Sequence, residues 1–255
     1  MSVFGNYARY YDLLYRDKDY VGEAKFIHQL IQTYAPNAQN ILELGCGTLN
    51  HAVLLANEGY QIHGVDFSLS MLQKASDRLE ELPTELASKL KFTHGDIRLC
   101  RLNETFDVVV SLFHVISYQT TNEDLLAAFT TAKEHLKPGG IFIFDVWYGP
   151  AVLTERPAVR VKRLEDEEIL VTRIAEPVMH PNENLVDVNY QVFIRDKSSN
   201  AVEELQETHQ MRYLFKPEIE LLLSEVQIEV ITCCEWLTNQ NAGFDTWGVY
   251  FIGVV

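Results

Sequence analysis

Two glycines and an acidic residue have the spacing of a ligand site. Residues 40–47 read Asn-Ile-Leu-Glu-Leu-Gly-Cys-Gly, an apolar run typical of a buried parallel strand that ends at Gly45 and Gly47. Glycines at this point allow a tight turn and let the backbone approach a ligand closely. About 20 residues further on, the run 61–66 ends in Asp66, which is placed to accept two ribose hydroxyls. Together these features indicate a nucleoside-bearing cofactor above a parallel sheet.

The glycine turn leads into a predicted helix over residues 50–58. Thr48 and Asn50 are residue types that cap helix N-termini, and the apolar run His51–Ala56 follows them. The free amides of a helix N-terminus favour a negatively charged or polar ligand group. A purely structural turn would explain the glycines alone, but it would not explain the acidic residue at the tip of the next strand.

Regular alternation of strands and helices surrounds this motif. We predict strands over 40–45, 61–66, 90–95, 106–113 and 141–145, helices over 50–58, 69–82 and 122–136, and a turn at 137–140. Repeated strand–helix units with apolar strands indicate an α/β fold with a mostly parallel sheet covered by helices on both faces.

The pattern changes after residue 158. Apolar and polar residues alternate from here on, which predicts four antiparallel strands over 160–164, 169–174, 185–194 and 205–213. A helix over 217–225 and two strands over 228–236 and 247–255 then complete a seven-stranded sheet. The expected organisation is an N-terminal helical lid (1–37), a cofactor domain (38–150 and 216–255) and an inserted antiparallel β-meander (151–215) that forms an acceptor pocket or a dimer interface.

Composition narrows the class of protein. The 255 residues suit one domain with an insertion, and the formal net charge of −15 argues against nucleic-acid and anionic-membrane partners. No apolar run reaches the ~18 residues of a membrane span, and the N-terminus lacks a signal-peptide pattern. The four cysteines have no zinc spacing, and no His/Cys/carboxylate cluster suggests a metal. We therefore expect a reduced, cytoplasmic protein that acts on a small molecule.

The order of the motifs resembles class I S-adenosylmethionine (SAM)-dependent methyltransferases. The resemblance covers about residues 38–148 and rests on Glu43-Leu-Gly-Cys-Gly-Thr48, Gly64-Val-Asp66-Phe-Ser, Gly95-Asp96, the strand 106–113 and Leu136-Lys-Pro-Gly-Gly140. It implies a Rossmann-like fold with SAM as the cofactor. In this family a third glycine often stands where this chain has Leu49.

A closer resemblance extends over nearly the whole chain. The segments Tyr11-Asp12-Leu13-Leu14-Tyr15, Lys18-Asp19-Tyr20 and Asp145-Val-Trp147-Tyr148, followed by a β-meander, look like nucleotide-amino-sugar N-methyltransferases of deoxysugar pathways. The resemblance therefore implies N-methylation of a nucleotide-linked amino sugar by in-line methyl transfer. A possible homodimer would form through the meander.

The resemblance also implies the cofactor residues. Glu43 would orient the glycine loop or the methionine amino group, Asp66 would hold the ribose, and Phe67 and Met71 would flank the adenine. Met71 is equally well explained as a core residue, and Asp96 as a turn cap. The full predicted set is Tyr11, Tyr20, Glu43, Gly45, Cys46, Gly47, Asp66, Phe67, Met71, Asp96, Ile97, Ser111 and Phe113.

The acceptor residues are expected in the loop after the fourth strand. His114 and Tyr118 are the candidate catalytic groups, with Tyr11 as a lid residue beside them, because an amine acceptor must lose a proton before it attacks. The sugar enzymes tend to have a histidine near the position of Tyr118. His114 and Tyr118 therefore both remain candidates for the base. Further candidates for the acceptor pocket are Trp147, Tyr148, His209 and Tyr213, of which His209 is expected to be solvated.

Three other functions fit the same sheet. Small-molecule O-methylation would use the same cofactor site, and a non-catalytic SAM-binding module would act through the meander. A nicotinamide-dependent oxidoreductase is disfavoured, because the sequence has no Tyr-x-x-x-Lys pair and ends in two predicted strands.

Overall fold

A seven-stranded sheet forms the centre of the computed structural model, which describes residues 10, 11 and 13–255. In spatial order the strands are β3 (Leu90–His94), β2 (Gln61–Asp66), β1 (Asn40–Leu44), β4 (Phe106–Ser111), β5 (Leu136–Tyr148), β11 (Gly248–Val254) and β10 (Glu229–Glu235). The first five are parallel, and β11 is antiparallel to both β5 and β10. The predicted mostly parallel sheet is confirmed.

Helices cover both faces of this sheet. One face holds α1 (Tyr20–Tyr34), α2 (Asn50–Asn57) and α3 (Leu69–Glu81), and the other holds α5 (Asn122–His135) and α7 (Lys216–Glu225). Two short helices, α4 (Thr84–Ala87) and α6 (Gly149–Thr154), lie in connections. Successive strand side chains point to opposite faces, so Ile41 packs with the first group and Leu42 with the second.

Strand β5 begins earlier than the sequence predicts. Residues 137–140 were expected to form a turn, but Leu136 already pairs with Phe106 of β4, and the register shifts further along. Gly139 has φ +77°, and a Cβ on Gly140 would come within 2.9 Å of the Asp107 carbonyl oxygen. The two glycines therefore accommodate an irregular strand rather than a turn.

The predicted meander is present as β6 (Arg160–Glu165), β7 (Ile169–His180), β8 (Leu185–Asp196) and β9 (Val202–Leu214). Neighbouring strands pair antiparallel. β9 also pairs in parallel with the end of β5, at Trp147 with Tyr213, so all eleven strands are connected. This pairing places the meander at the carboxyl end of β5, the same end of the sheet as the glycine turn.

One face of the meander points towards the rest of the protein. The register puts Val171, Tyr190, Glu207, His209 and Met211 on this inner face, where aliphatic side chains form two small cores. The opposite, outer face includes the exposed residues Val161, Leu170, Val178 and Val202. The inner face thus carries polar groups into an apolar environment.

The N-terminal segment is described only in part. Residues 1–9 and 12 of the predicted lid (1–37) lie outside the described residues. Helix α1 begins at Tyr20 because the Asp19 carboxylate accepts the Gly22 N–H at 2.8 Å and caps it. Among residues 10, 11 and 13–255, none of the helices has the length and apolar character that crossing a bilayer demands.

Candidate active site

A cavity of about 490 Å³ opens at the carboxyl ends of β1, β2 and β4, against the inner face of the meander. This volume is within the usual range for small-molecule sites. Of the fifteen residues predicted to bind the cofactor or to be catalytic, fourteen line it: Tyr11, Tyr20, Glu43, Gly45, Cys46, Gly47, Asp66, Phe67, Met71, Asp96, Ile97, Phe113, His114 and Tyr118. The structure therefore brings the two halves of the predicted site, cofactor side and acceptor side, into one continuous space.

The glycine turn approaches the cavity with its backbone. Gly45 has φ +82°, and a Cβ there would lie 2.6 Å from the Val115 side chain. Gly47 has φ +53°, lines the cavity, and a Cβ there would have nothing within 4 Å. The first glycine is therefore required for packing between loops, and the second leaves backbone exposed to a ligand.

Helix α2 begins differently from the prediction. Thr48 and Asn50 were expected as capping types, but the N-cap is Leu49, in the left-handed region with φ +65°. A leucine side chain has no oxygen with which to accept the first amides of the helix. The position where the family often has a third glycine thus keeps a left-handed backbone.

Asp66 links two loops at the cavity wall. Its Oδ2 accepts the Gly47 N–H and its Oδ1 accepts the Ser68 N–H, both at 2.8 Å. Burial raises the pKa of this carboxyl, and the two amide donors oppose that shift. Since a carboxylate has about four acceptor sites, Asp66 retains capacity for the ribose hydroxyls that the sequence assigns to it.

Glu43 is buried beside Asp66 at the end of β1. It is 2% exposed, and its Oε2 has no hydrogen-bond partner among the described residues. Burial, and then the charge of Asp66, raises the pKa of Glu43 to about 8. The nearest cationic candidate is His51, whose Nδ1 lies 3.9 Å from Oε1. A ligand with a positively charged group would stabilise the ionised form of this carboxyl.

The side of the cavity predicted to hold adenine contains an arginine that the sequence analysis did not single out. Arg98 lines the cavity and binds both oxygens of Asp96, with Nη2–Oδ2 at 2.6 Å, and its Nη1 lies 2.7 Å from Asp124. This guanidinium is the main cause that lowers the pKa of Asp96. Asp96 was expected to accept from the adenine amino group, and in the structure its carboxylate already accepts from Arg98.

The remaining predicted cofactor residues differ in exposure. Phe67 is 56% exposed, whereas Met71 and Ile97 are buried, and Met71 also packs on Leu14 and Val171. Ser111 is fully buried, and its hydroxyl donates to the Leu44 carbonyl at 2.9 Å. Ser111 therefore braces β4 against β1, which is a structural contact rather than a contact with the cavity.

Tyrosines from the N-terminal segment close one side of the cavity. Tyr11, Tyr15 and Tyr20 line it, and the Tyr15 ring meets Phe113 edge-to-face with centroids 4.9 Å apart. The Lys18 ammonium lies over Phe113, 4.5 Å from the ring centroid. Tyr15 was not among the predicted site residues, although it belongs to the segment that was predicted to form a lid.

The loop after β4 is held by a buried carboxylate. Phe113 and His114 both have positive φ, 66° and 62°, which is uncommon for side chains of this size. The His114 N–H donates to both oxygens of Asp145, and its ring Nδ1 lies 2.7 Å from Oδ2. Asp145 is 1% exposed, so the strained turn and the orientation of the imidazole share one anchor.

A second histidine lies on the acceptor side. His209 was predicted to be solvated; this is wrong, because it is 2% exposed and lines the cavity. Its Nδ1 lies 2.8 Å from the Tyr118 hydroxyl, and its Nε2 lies 3.7 Å from Glu207 Oε2. The signal for its burial was present, since His209 alternates in register with Leu205, Met211 and Tyr213.

The other candidates for the acceptor pocket divide into two groups. Trp147 lines the cavity, together with Val188, Tyr190 and Met211 of the meander. Tyr213 is buried in the core under the meander, and Tyr148 packs on the core between the sheet and α5. The acceptor side is therefore largely aromatic.

Protonation of Glu43 makes the stability of the ligand-free protein depend on pH. A carboxyl whose pKa is raised on folding holds a proton that the unfolded chain releases, so the free energy of unfolding falls as pH rises from about 4.5 to about 8. We expect Glu43→Gln to gain stability relative to wild type over this window, by up to about 1.4 kcal/mol per pH unit.

Urea unfolding of the ligand-free protein at several pH values measures this difference. The exposed residue Glu225 provides the matched control, because Glu225→Gln should differ from wild type by a constant amount. A constant difference for Glu43→Gln as well would show that Glu43 ionises normally.

Comparisons with known proteins agree with this geometry. Residues 41–140 match the family model of the methyltransferase domain. The dTDP-3-amino-3,4,6-trideoxy-alpha-D-glucopyranose N,N-dimethyltransferase of Streptomyces venezuelae is 29% identical over 227 residues, which cover 88% of this chain and 91% of that protein. The crystal structure of Streptomyces venezuelae DesVI has a TM-score of 0.80 and 28% identity, and the match covers 97% of this chain and 98% of DesVI.

A further solved structure supports the fold alone. An S-adenosylmethionine-dependent methyltransferase from Clostridium acetobutylicum ATCC 824 has a TM-score of 0.81 at 24% identity, and the match covers 98% of each chain. The glycine turn, the acidic residue at the tip of β2 and the cavity that both of them line lie within a chain that is similar to such enzymes over nearly its whole length. Residues 41–140 match the methyltransferase domain, and over nearly its whole length the chain is similar to S-adenosylmethionine-dependent methyltransferases.

Proposed function

We propose that the protein is a cytoplasmic enzyme that transfers a methyl group from SAM to the nitrogen of a nucleotide-linked amino sugar. The observation that carries the proposal is the continuity of the cavity, which runs from the glycine turn to an aromatic end built by the loop after β4 and the meander. The Streptomyces venezuelae relative, which matches 88% of the chain, has an amino sugar in its name. The meander is the part of the chain that would select such an acceptor.

The residues on the cofactor side fit SAM by their chemistry. Gly47 leaves backbone exposed, Asp66 has free acceptor capacity for ribose hydroxyls, and Glu43 offers a buried oxygen to the methionine amino group. When bound, SAM supplies an electrophilic methyl group on a positively charged sulfur. The protein contributes alignment of the two reactants, which lowers the barrier for an in-line displacement.

The acceptor end suits an amine. Aromatic rings of Tyr15, Tyr190 and Trp147 surround it, and aromatic faces stabilise cationic groups at close range. A protonated amine has no lone pair with which to attack, so a proton acceptor is needed near neutral pH. Tyr118 and His114 both line the cavity at this end. A hydroxyl acceptor would need a stronger base than this side of the cavity provides.

Loss of the Asp66 carboxylate should weaken SAM binding. We expect Asp66→Ala to reduce the binding free energy by about 1.5–3 kcal/mol, the scale of a hydrogen bond to a charged group. Titration calorimetry with SAM measures the change. Asp77→Ala, at an exposed position on α3, is the matched control and should bind normally. Wild-type affinity in a folded Asp66→Ala variant would contradict the ribose assignment.

A turnover assay with methyl-labelled SAM tests the proposed activity. Nucleotide-linked amino sugars are offered beside the matched hydroxyl sugars, simple amines and phenols. We expect label only in the amino-sugar products, because only the amine becomes a nucleophile after loss of one proton near neutral pH. Label only in hydroxyl sugars would indicate an O-methyltransferase. SAM binding without turnover on any acceptor would indicate a non-catalytic module, and either result would overturn the proposal.

We also propose that the outer face of the meander joins two copies of the chain. Val161, Leu170, Val178 and Val202 share this face and are exposed. Sedimentation at micromolar concentration should show a dimer, and Val178→Asp should shift it towards monomer. Phe244→Asp, at an exposed apolar residue outside the meander, is the control and should remain dimeric. A monomeric wild type would contradict this assembly.

A further inference from the structure

A row of polar side chains leads from the acceptor end of the cavity into the inner face of the meander. The Tyr118 hydroxyl lies 2.8 Å from His209 Nδ1. His209 Nε2 lies 3.7 Å from Glu207 Oε2, and that same oxygen accepts the Tyr10 hydroxyl at 2.8 Å. The row connects the loop after β4, strand β9 and the N-terminal segment, and its first two members line the cavity.

The hydrogen bonds give the row a direction. If the Tyr118 hydroxyl donates to His209 Nδ1, the Tyr118 oxygen keeps lone pairs that can accept a proton from the cavity. His209 then has its ring proton on Nε2, which faces the Glu207 carboxylate. A carboxylate next to an imidazole stabilises the protonated ring.

Tyr118 is poorly suited to act as a base by itself in its deprotonated form. Burial, with additional contributions from Tyr15, Tyr190 and Glu207, raises the pKa of Tyr118 well above its ordinary value. A tyrosinate at this position is therefore unfavourable, and the phenol can act only by passing a proton on as it receives one. The group to which it can pass the proton is His209.

His114 has different surroundings. Its side chain is 25% exposed, its peptide N–H donates to both oxygens of Asp145, and its Nδ1 lies 2.7 Å from Asp145 Oδ2 without hydrogen-bond geometry. These contacts fix the left-handed turn at His114 and do not connect it to the meander. His209, by contrast, is 2% exposed, lines the cavity, and has its Nδ1 2.8 Å from the Tyr118 hydroxyl.

We propose that Tyr118, His209 and Glu207 form a proton relay that deprotonates the amine acceptor, an inference that rests on the proposed function. The acceptor ammonium gives a proton to the Tyr118 oxygen while the Tyr118 hydroxyl proton moves to His209 Nδ1. The amine regains its lone pair, Tyr118 is unchanged, and His209 becomes an imidazolium beside the Glu207 carboxylate. No oxidant or further reactant is needed.

The relay predicts a pH-dependent defect when the imidazole is replaced. An asparagine at position 209 retains an acceptor for the Tyr118 hydroxyl but does not titrate. Below the pKa of the free acceptor ammonium, we expect His209→Asn to lower kcat by about 100-fold or more, the lower end of general-base contributions. Above that pKa the defect should shrink, because the amine arrives already neutral.

Titratable or charged groups that face the relay are Tyr10, Tyr15, Arg173, Tyr190 and Glu207.

Kinetics against pH with an amino-sugar acceptor test the relay. Tyr118→Phe keeps the ring and removes the hydroxyl, so it should show the same pH-dependent defect and serves as a second variant if His209→Asn folds poorly. His114→Asn tests the competing base, and we expect any defect it has to be independent of pH. His180→Asn, on the meander outside the cavity, is the matched control with wild-type kinetics.

The kinetics of these variants have outcomes that would contradict the relay. A defect in His209→Asn and Tyr118→Phe that is equal at all pH values would mean that these residues only shape the pocket. A pH-dependent defect confined to His114→Asn would assign the base to His114. Failure of the proposed function would appear separately, as a wild type that binds SAM and methylates no amine, and it would remove the relay with it.

Discussion

Carboxylates on two strands of the central sheet hold the loops around the cavity, and the rest of the site depends on them. Asp66 at the end of β2 binds the backbone N–H groups of two loops, including Gly47 in the turn after β1. Asp145 in β5 accepts the peptide N–H of His114 in the loop after β4. In each case a strand supplies the acceptor for a loop that follows another strand. The loops are therefore positioned by the register of the sheet, which apolar packing fixes from both faces.

This arrangement has an electrostatic cost at Glu43. The side chain is buried close to Asp66, and the backbone amides that compensate Asp66 do not reach it, so its pKa rises to about 8. Buried titratable groups in such conflict with their surroundings often mark functional sites. A cofactor with a positive group would relieve the conflict, so the ligand-free site is electrostatically incomplete in a way that favours SAM over a neutral nucleoside.

The sheet and its cofactor edge were predictable from the sequence because apolar runs, turn residues and the distance from Gly45 to Asp66 are local signals. Contacts between distant segments were not. The pairing of Arg98 with Asp124 joins the loop after β3 to helix α5, and the spacing of these residues along the chain does not predict it. Leu136 pairs with Phe106 ahead of two glycines that locally resemble a turn. His209 had a usable signal in its alternation with apolar residues, but its partner Tyr118 lies 91 residues away.

A crystal structure with S-adenosylhomocysteine and an amino-sugar acceptor would test the central claim most directly. We expect the ribose hydroxyls to meet Asp66, the amino group of the homocysteine to lie near Glu43, and the acceptor nitrogen to face Tyr118 at the aromatic end of the cavity. A cofactor product bound outside the cavity, or an acceptor nitrogen that points away from Tyr118, would contradict it.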